Sequence, residues 1–216
     1  RDVRTASERV DVTDGDVLLP RVLLRITVNL DDGKHAHALT AAAGAPALLA
    51  DYDLVATAAA TERLFAQCCS NGNIDVLTFD LAQRIPYTLR FPTVGTATAR
   101  GVRIELDVGP ALRGDANARR SVLSNALSVV RVCKAKSVVL TCAARRAIEL
   151  RGAADIANLG VLFGLKQDVA MHAVSLEPRA ALLHARMRHT EKGTLSVRRR
   201  QEQLNAAAAA QYVADE

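Results

Sequence analysis

The chain has 216 residues, 50 % hydrophobic but only 3 % aromatic, with no Trp, which allows one sizeable α/β domain with a core of Ala, Val, Leu and Ile. Its four cysteines, Cys68, Cys69, Cys133 and Cys142, form no CxxC pair, which argues against a disulfide scaffold or zinc module and suggests a reduced intracellular protein. Formal net charge is +5; no apolar run of about 18 residues is present to span a membrane, and no signal-peptide pattern opens the chain.

Residues 1–20 are polar and without periodicity, and read as an extended arm. Residues 21–30 (RVLLRITVNL) are apolar and β-branched, and predict a buried strand. Asp31-Asp32-Gly33 makes a turn, and residues 35–50 read as a helix broken near Pro46. A second strand is expected over 52–57 (YDLVAT). Thr61 should cap a helix, with Glu62 in its first turn, that ends near Asn71-Gly72. A third strand is expected over 74–79, ending at Asp80, and a helix over 91–101 with Gly101 at its C-cap. Residues 102–108 predict a fourth strand.

A long helix is expected over 116–136, with Val122, Leu123, Ala126, Leu127, Val130 and Cys133 as one apolar stripe. A fifth strand follows over 137–142. Helices are expected over 153–163, closed by Gly164, over 167–174, and from a Ser175 cap to about Arg188, with Pro178 in the first turn. The tail over 191–216 is basic, then Ala-rich. Repeated βα units imply a parallel sheet, with a barrel-like domain over 21–190. Five strands fall short of the eight of a full barrel, so the barrel is either incomplete here or the sheet is open.

Charge is unevenly spread. Residues 1–80 hold seven basic and twelve acidic residues, residues 100–151 eleven and four, and residues 176–200 seven and two. Two basic blocks behind an acidic one suggest a polyanion partner, against the plainer reading of a solvated basic surface.

Enzyme chemistry is sparse. His35, His37, His172, His184 and His189 all fall on expected helices or their flanks, not at strand ends where a barrel keeps its metal ligands. His35-Ala-His37 reads as a surface turn. Asp80, Glu105 and Asp107 are the one candidate cluster for Mg²⁺, Glu105 and Asp107 sharing a strand face. The alternative is that they cap loops and pair with Arg103 or Arg113. No GxGxxG, P-loop or nucleophile elbow is present.

Ten segments in order resemble one known family: YDLVA (52–56), TERLF (61–65), IDVLTFDL (74–81), RFP (90–92), ARGVRIEL (99–106), PALR (110–113), ARRSVLSNAL (118–127), VCKAKSVVLT (132–141), ELRGAADIANLGVLFGL (149–165) and RAALLHA (179–185). They are similar to the 30-kDa protein subunit of ribonuclease P, shared in eukaryotes with ribonuclease MRP, and their wording looks eukaryotic. The resemblance implies a TIM-barrel-like, polymerase-and-histidinol-phosphatase-like α/β fold without its metal ligands. It implies a non-catalytic subunit of an RNA-based endoribonuclease that matures the 5′ end of precursor tRNA, and in the MRP particle pre-rRNA processing. It also implies a small ferredoxin-like partner subunit among other particle proteins, no cofactor on the protein, Mg²⁺ held by the RNA, and a nuclear, nucleolar location. The family's chain begins with about two further βα units, so residues 21–30 correspond to its third strand. It usually has a hydroxyl residue where Gly109 stands here. The barrel hydrolase using Asp80, Glu105 and Asp107 stays as the alternative.

The candidate RNA-facing residues are Arg90, Arg113, Arg119, Arg120, Lys134, Lys136, Arg145, Arg146 and Arg151. Arg113 and Arg145-Arg146 follow strands and should share one rim. Arg119 and Arg120 open a helix, whose N–H groups and dipole favour phosphate. Lys134 and Lys136 close that helix, where they complement its dipole or contact RNA. With so few aromatics, recognition should be of phosphate and RNA shape.

Overall fold

The computed structural model describes residues 22–31, 49 and 51–188. The expected arm over 1–20, the helix over 35–50 apart from Leu49, the tail over 191–216, and His35, His37 and His189 lie outside the described residues.

Five strands, β1 (Arg25–Leu30), β2 (Leu54–Ala59), β3 (Val76–Leu77), β4 (Arg103–Asp107) and β5 (Val138–Thr141), form one parallel sheet in that spatial order. Helices α1 (Glu62–Ser70), α2 (Phe91–Ala99), α3 (Gly109–Arg113) and α4 (Ala116–Cys133) provide the crossovers from β2 to β5 that parallel neighbours require. Helices α5 (Ala153–Leu162), α6 (Gln167–Val174) and α7 (Leu176–Arg188) follow β5. This sequential βα winding is TIM-barrel-like. No described helix is long and apolar enough to cross a membrane.

Successive side chains point to opposite faces of a strand. The pairing register therefore puts Arg25, Thr27, Ala56, Val76, Glu105 and Thr141 on one face. The opposite face carries Val55, Leu77, Ile104 and Leu140, which join the core under the helices at 0–4 % exposure. Each such aliphatic side chain contributes roughly 1.5–3 kcal/mol on burial. The Thr61 side chain caps α1, accepting from Leu64 N–H at 3.3 Å, and α1 buries Leu64, Phe65, Cys68 and Cys69. After α2, Gly101 takes a φ of +93° and its chain passes so close to α7 that a Cβ would meet His184 Cδ2 at 2.8 Å. Only glycine fits both demands.

Helix α7 covers the first face where the strands begin. Ala181 packs with Ala56 and Val76. Arg103 at the start of β4 pairs with Glu177 at 2.6 Å. Asp75, fully buried before β3, accepts from Val55 N–H at 2.9 Å and meets His184 Nδ1 at 2.9 Å.

Several boundaries differ from expectation. Of the apolar run over 74–79, only Val76 and Leu77 pair with both β2 and β4, and backbone bonds of Asp75 and Thr78 continue the contact at either end. Helix α4 ends at Cys133, where Lys134 and Ala135 adopt left-handed φ values of 51° and 56°. Its buried stripe is Val122, Ala126, Val129, Val130 and Cys133 with Asn125, while Leu123 and Leu127 are exposed. Asn125 earns burial by donating to the carbonyls of Leu81 and Gln83 at 3.0 and 2.7 Å. Ser175 closes α6 instead of capping α7, its hydroxyl donating to Met171 O at 2.6 Å.

Candidate nucleic-acid interface

The loops after β4 and β5 meet at one rim. Asp107 ends β4 and accepts from Gly109 N–H at 2.7 Å, fixing the start of α3. Burial pushes the Asp107 carboxyl above its usual range, against that hydrogen bond. Arg113 closes α3, and its Nη1 donates to Ala143 O at 3.0 Å and Glu149 Oε2 at 3.2 Å. Its guanidinium lies directly over Gly109, where a Cβ would meet Nη1 at 2.6 Å and Cys142 O at 2.6 Å. Gly109 thus leaves free the space that Arg113 fills.

Beyond β5, Ala143 adopts a φ of 37°, and a 3₁₀ turn spans Ala147–Glu149. Glu149 is the hub of this loop. It accepts from Arg145 N–H at 2.9 Å, Arg146 Nε at 3.0 Å and Arg113 Nη1 at 3.2 Å. The Arg145 amide first and the Arg146 side chain second pull its carboxyl down to about 2. Arg151 is used locally, donating to the carbonyls of Ile148 and Leu150 at 2.9 and 3.0 Å.

The structure therefore brings Arg113, Arg145, Arg146 and Arg151 together. Arg119 and Arg120 are exposed on the adjoining helix α4, and no carboxylate among the described residues pairs with them. The start of that helix is less open than expected. Asp115 caps it, accepting from Ala118 N–H at 2.8 Å, so a carboxylate already holds part of the amide field. Arg90, at the start of α2, pairs with Glu62 at 3.0 Å with both side chains exposed.

The two lysines lie elsewhere. They precede β5, whereas Arg145 and Arg146 follow it, so they stand at its opposite end. Lys134 Nζ sits 4.1 Å from the Phe91 ring centroid, a cation–π contact. Lys136 lines an open cleft of about 340 Å³ with Ser137, Val169, His172 and Glu177.

The three candidate Mg²⁺ carboxylates are not gathered. Both Glu105 oxygens are taken by the Arg25 guanidinium at 2.6 and 2.5 Å, and Oε1 also accepts from Thr141 Oγ1 at 2.9 Å. Burial raises the Glu105 carboxyl, but the bonds from Arg25 outweigh it and leave the pKa below the usual carboxylate range. Glu105 thus pairs with Arg25, not with Arg103 or Arg113. Asp107 holds Gly109, and Asp80 accepts from Ala82 N–H at 3.0 Å in an exposed loop. Among the described residues, no three His, Cys, Asp or Glu side chains stand together as metal ligands would.

The family described as RNase P subunit p30 matches residues 13–190. This chain belongs to that family. The p30-family chain is 39 % identical over 176 residues to the ribonuclease P protein subunit p30 of Mus musculus, covering 82 % of this chain and 64 % of that one. It is 35 % identical over 138 residues to the probable ribonuclease P protein subunit 3 of Schizosaccharomyces pombe, covering 64 % and 58 %. It is 30 % identical over 165 residues to the ribonuclease P/MRP protein subunit RPP1 of Saccharomyces cerevisiae, covering 76 % and 54 %. The chain thus spans between 54 and 64 % of the length of these relatives. Its fold resembles that of a chain in a cryo-EM structure of archaeal ribonuclease P with mature tRNA, with a TM-score of 0.67 at 12 % identity, covering 84 % of this chain and 78 % of that one. At such low identity the likeness speaks for the fold alone, and it agrees with the TIM-barrel-like winding of the p30-family sheet.

Three roles escaped the sequence reading: Arg25 as the partner of Glu105, and at the rim Gly109 as the seat of Arg113 and Glu149 as its counter-ion. The signal for Arg25 was present in the alternation Arg25, Thr27, Asn29 against Ile26, Val28, Leu30. Glu149 stands three and four residues after Arg146 and Arg145, a local signal for those two bonds, but its bond to Arg113, 36 positions away, has none.

Proposed function

We propose that this chain is a protein subunit of ribonuclease P that braces the particle's RNA during 5′ maturation of precursor tRNA. The observation that carries this reading is the rim where Arg113, Arg145 and Arg146 converge on Glu149 beside Arg119 and Arg120. Arginines with few aromatics suit phosphate and shape recognition. The separate structural uses of Asp80, Glu105 and Asp107 fit a subunit that leaves bond cleavage to the RNA, with Mg²⁺ held there and no cofactor on the protein. The name of the Saccharomyces cerevisiae relative supports a second place in the MRP particle, and pre-rRNA processing with it. The eukaryotic relatives support a nuclear particle, with the nucleolus as its site. A small ferredoxin-like subunit is the protein partner this reading expects.

The test is affinity capture of the full chain from its source cells followed by RNA sequencing. Enrichment of a ribonuclease P or MRP RNA is the expected result, and its absence from the enriched species would refute the proposal. Purified chain should cleave no RNA by itself. Metal-dependent cleavage abolished by Asp80→Ala would establish the hydrolase instead.

A further inference from the structure

The arginines of the rim are not equivalent. The Arg146 side chain is 76 % exposed, but that of Arg113 is only 26 % exposed. The Arg113 guanidinium rests on Gly109, reaches the Ala143 carbonyl, and meets a carboxylate that also binds Arg145 N–H and Arg146 Nε. Its Nη1 is committed to the loop after β5, and most of its side chain is covered. What it does is join the β4 loop to the β5 loop. Glu149 in turn fixes the backbone of Arg145 and the side chain of Arg146, and the 3₁₀ turn adds bonds from Glu149 N–H to Arg146 O and from Leu150 N–H to Ala147 O.

We infer that Arg113 is a positioning residue: with Glu149 as its counter-ion and Gly109 as its seat, it latches the 143–151 loop so that Arg145 and Arg146 stand ready for RNA phosphates. The inference rests on the proposed RNA-binding role of this rim. It adds that the free loop is already in its binding conformation, which lowers the ordering cost of association. It also reverses the sign expected for one substitution. Removing a carboxylate from a surface that faces a polyanion should strengthen binding by simple charge balance. If Glu149 is the latch, removing it weakens binding.

Two measurements on the full chain test this: amide hydrogen exchange without RNA, and affinity for a transcribed ribonuclease P RNA at several salt concentrations. Arg113→Ala and Glu149→Ala should each speed exchange at the Arg145, Glu149 and Leu150 amides by about tenfold or more. Each should weaken RNA binding by roughly tenfold, the scale of a lost charge-assisted contact. In a background of Arg145→Ala/Arg146→Ala, neither should weaken it further, because the latch acts through those side chains. The inference is overturned if Glu149→Ala binds RNA as tightly as the parent or more so. It is also overturned if Arg113→Ala still costs affinity in that background and lowers the salt slope by about one, the mark of a direct phosphate contact. A parent chain that does not bind the RNA at all would refute the functional proposal. The exchange measurement would still decide the latch, since unchanged protection in both variants removes it.

Discussion

Arg25 on β1 and Glu105 on β4 form a two-point ion pair at 2.6 and 2.5 Å, although β2 and β3 lie between their strands. Neighbouring strands lie about 4.8 Å apart, so three spacings separate them by roughly 14 Å across a flat sheet. The register adds an offset along the strands, because Arg25 stands opposite Leu54, whereas Ala56 stands opposite Val76 and Val76 opposite Arg103. Two side chains could not close such a gap on a flat surface. The sheet curls as a barrel wall does, and the pair bridges its concave face.

Glu105 is 4 % exposed and Arg25 32 % exposed. Removing one partner of a largely buried pair strands the other charge. Arg25→Ala should therefore lower stability by about 3 kcal/mol, the low end of the range for buried pairs because Arg25 is partly solvated. The double change Arg25→Met/Glu105→Gln should recover most of the loss. Urea unfolding midpoints of the three proteins measure both effects, and an unchanged midpoint for Arg25→Ala would mean that the pair does not hold the curl.

Asp75 bonds both the Val55 amide and His184, so it ties α7 to the start of the central strands. Asp75→Ala leaves a buried N–H without its acceptor and should cost about 3 kcal/mol, summing one charged hydrogen bond and one desolvation penalty. Limited proteolysis should then cut within α7 before the rest of the domain. Cleavage first in the 143–151 loop would show that α7 is held by other contacts.

The Glu149 carboxyl is lowered from 4.5 to about 2. Its contribution to loop order is therefore complete above pH 4.5 and fades as pH falls toward 2. Carbon-detected NMR titration of the Glu149 carboxyl should show a midpoint far below 4. An ordinary midpoint near 4.3 would mean that the three donors do not engage it in solution.

Cys68, Cys69 and Cys133 are buried, and burial pushes the last two thiols up to about 12. Cys142 is partly exposed. A thiolate-selective reagent should label Cys142 in the folded protein and all four cysteines only after unfolding. Rapid labelling at Cys68 or Cys69 would place α1 away from the sheet.

The winding of the fold was readable because its signals are local. The order of the strands and the Thr61 cap stand where expected. Gly101 ends its helix one residue past the Arg100 C-cap, and the 21–30 run, expected to be buried, is among the described residues a largely exposed edge strand. The errors came where distant partners decide the outcome. Ile74 to Phe79 looks like a strand, yet only Val76 and Leu77 find partners on both neighbouring strands. Leu127 matches the helical period, yet Asn125 is buried instead, because the carbonyls of Leu81 and Gln83 need its amide. The same distinction holds at the rim. That Arg113 shares a rim with Arg145 and Arg146 could be read from position, but the bonds that join them run through Glu149 over Gly109, which only packing brings to Arg113. Lys134 and Lys136, placed with the arginines by charge, are separated from Arg145 and Arg146 by the length of β5.

The central claim is that RNA meets the rim after the strands. Its most direct test is the salt dependence of affinity for ribonuclease P RNA. The full chain, Arg119→Ala/Arg120→Ala/Arg145→Ala/Arg146→Ala, and Lys136→Ala at the opposite end of β5 should be compared. Each lost phosphate contact lowers the slope by about one. The account predicts a slope reduced by about four in the first variant and a nearly unchanged slope in the second. A first variant with the parent's slope, or a loss confined to Lys136→Ala, would contradict it.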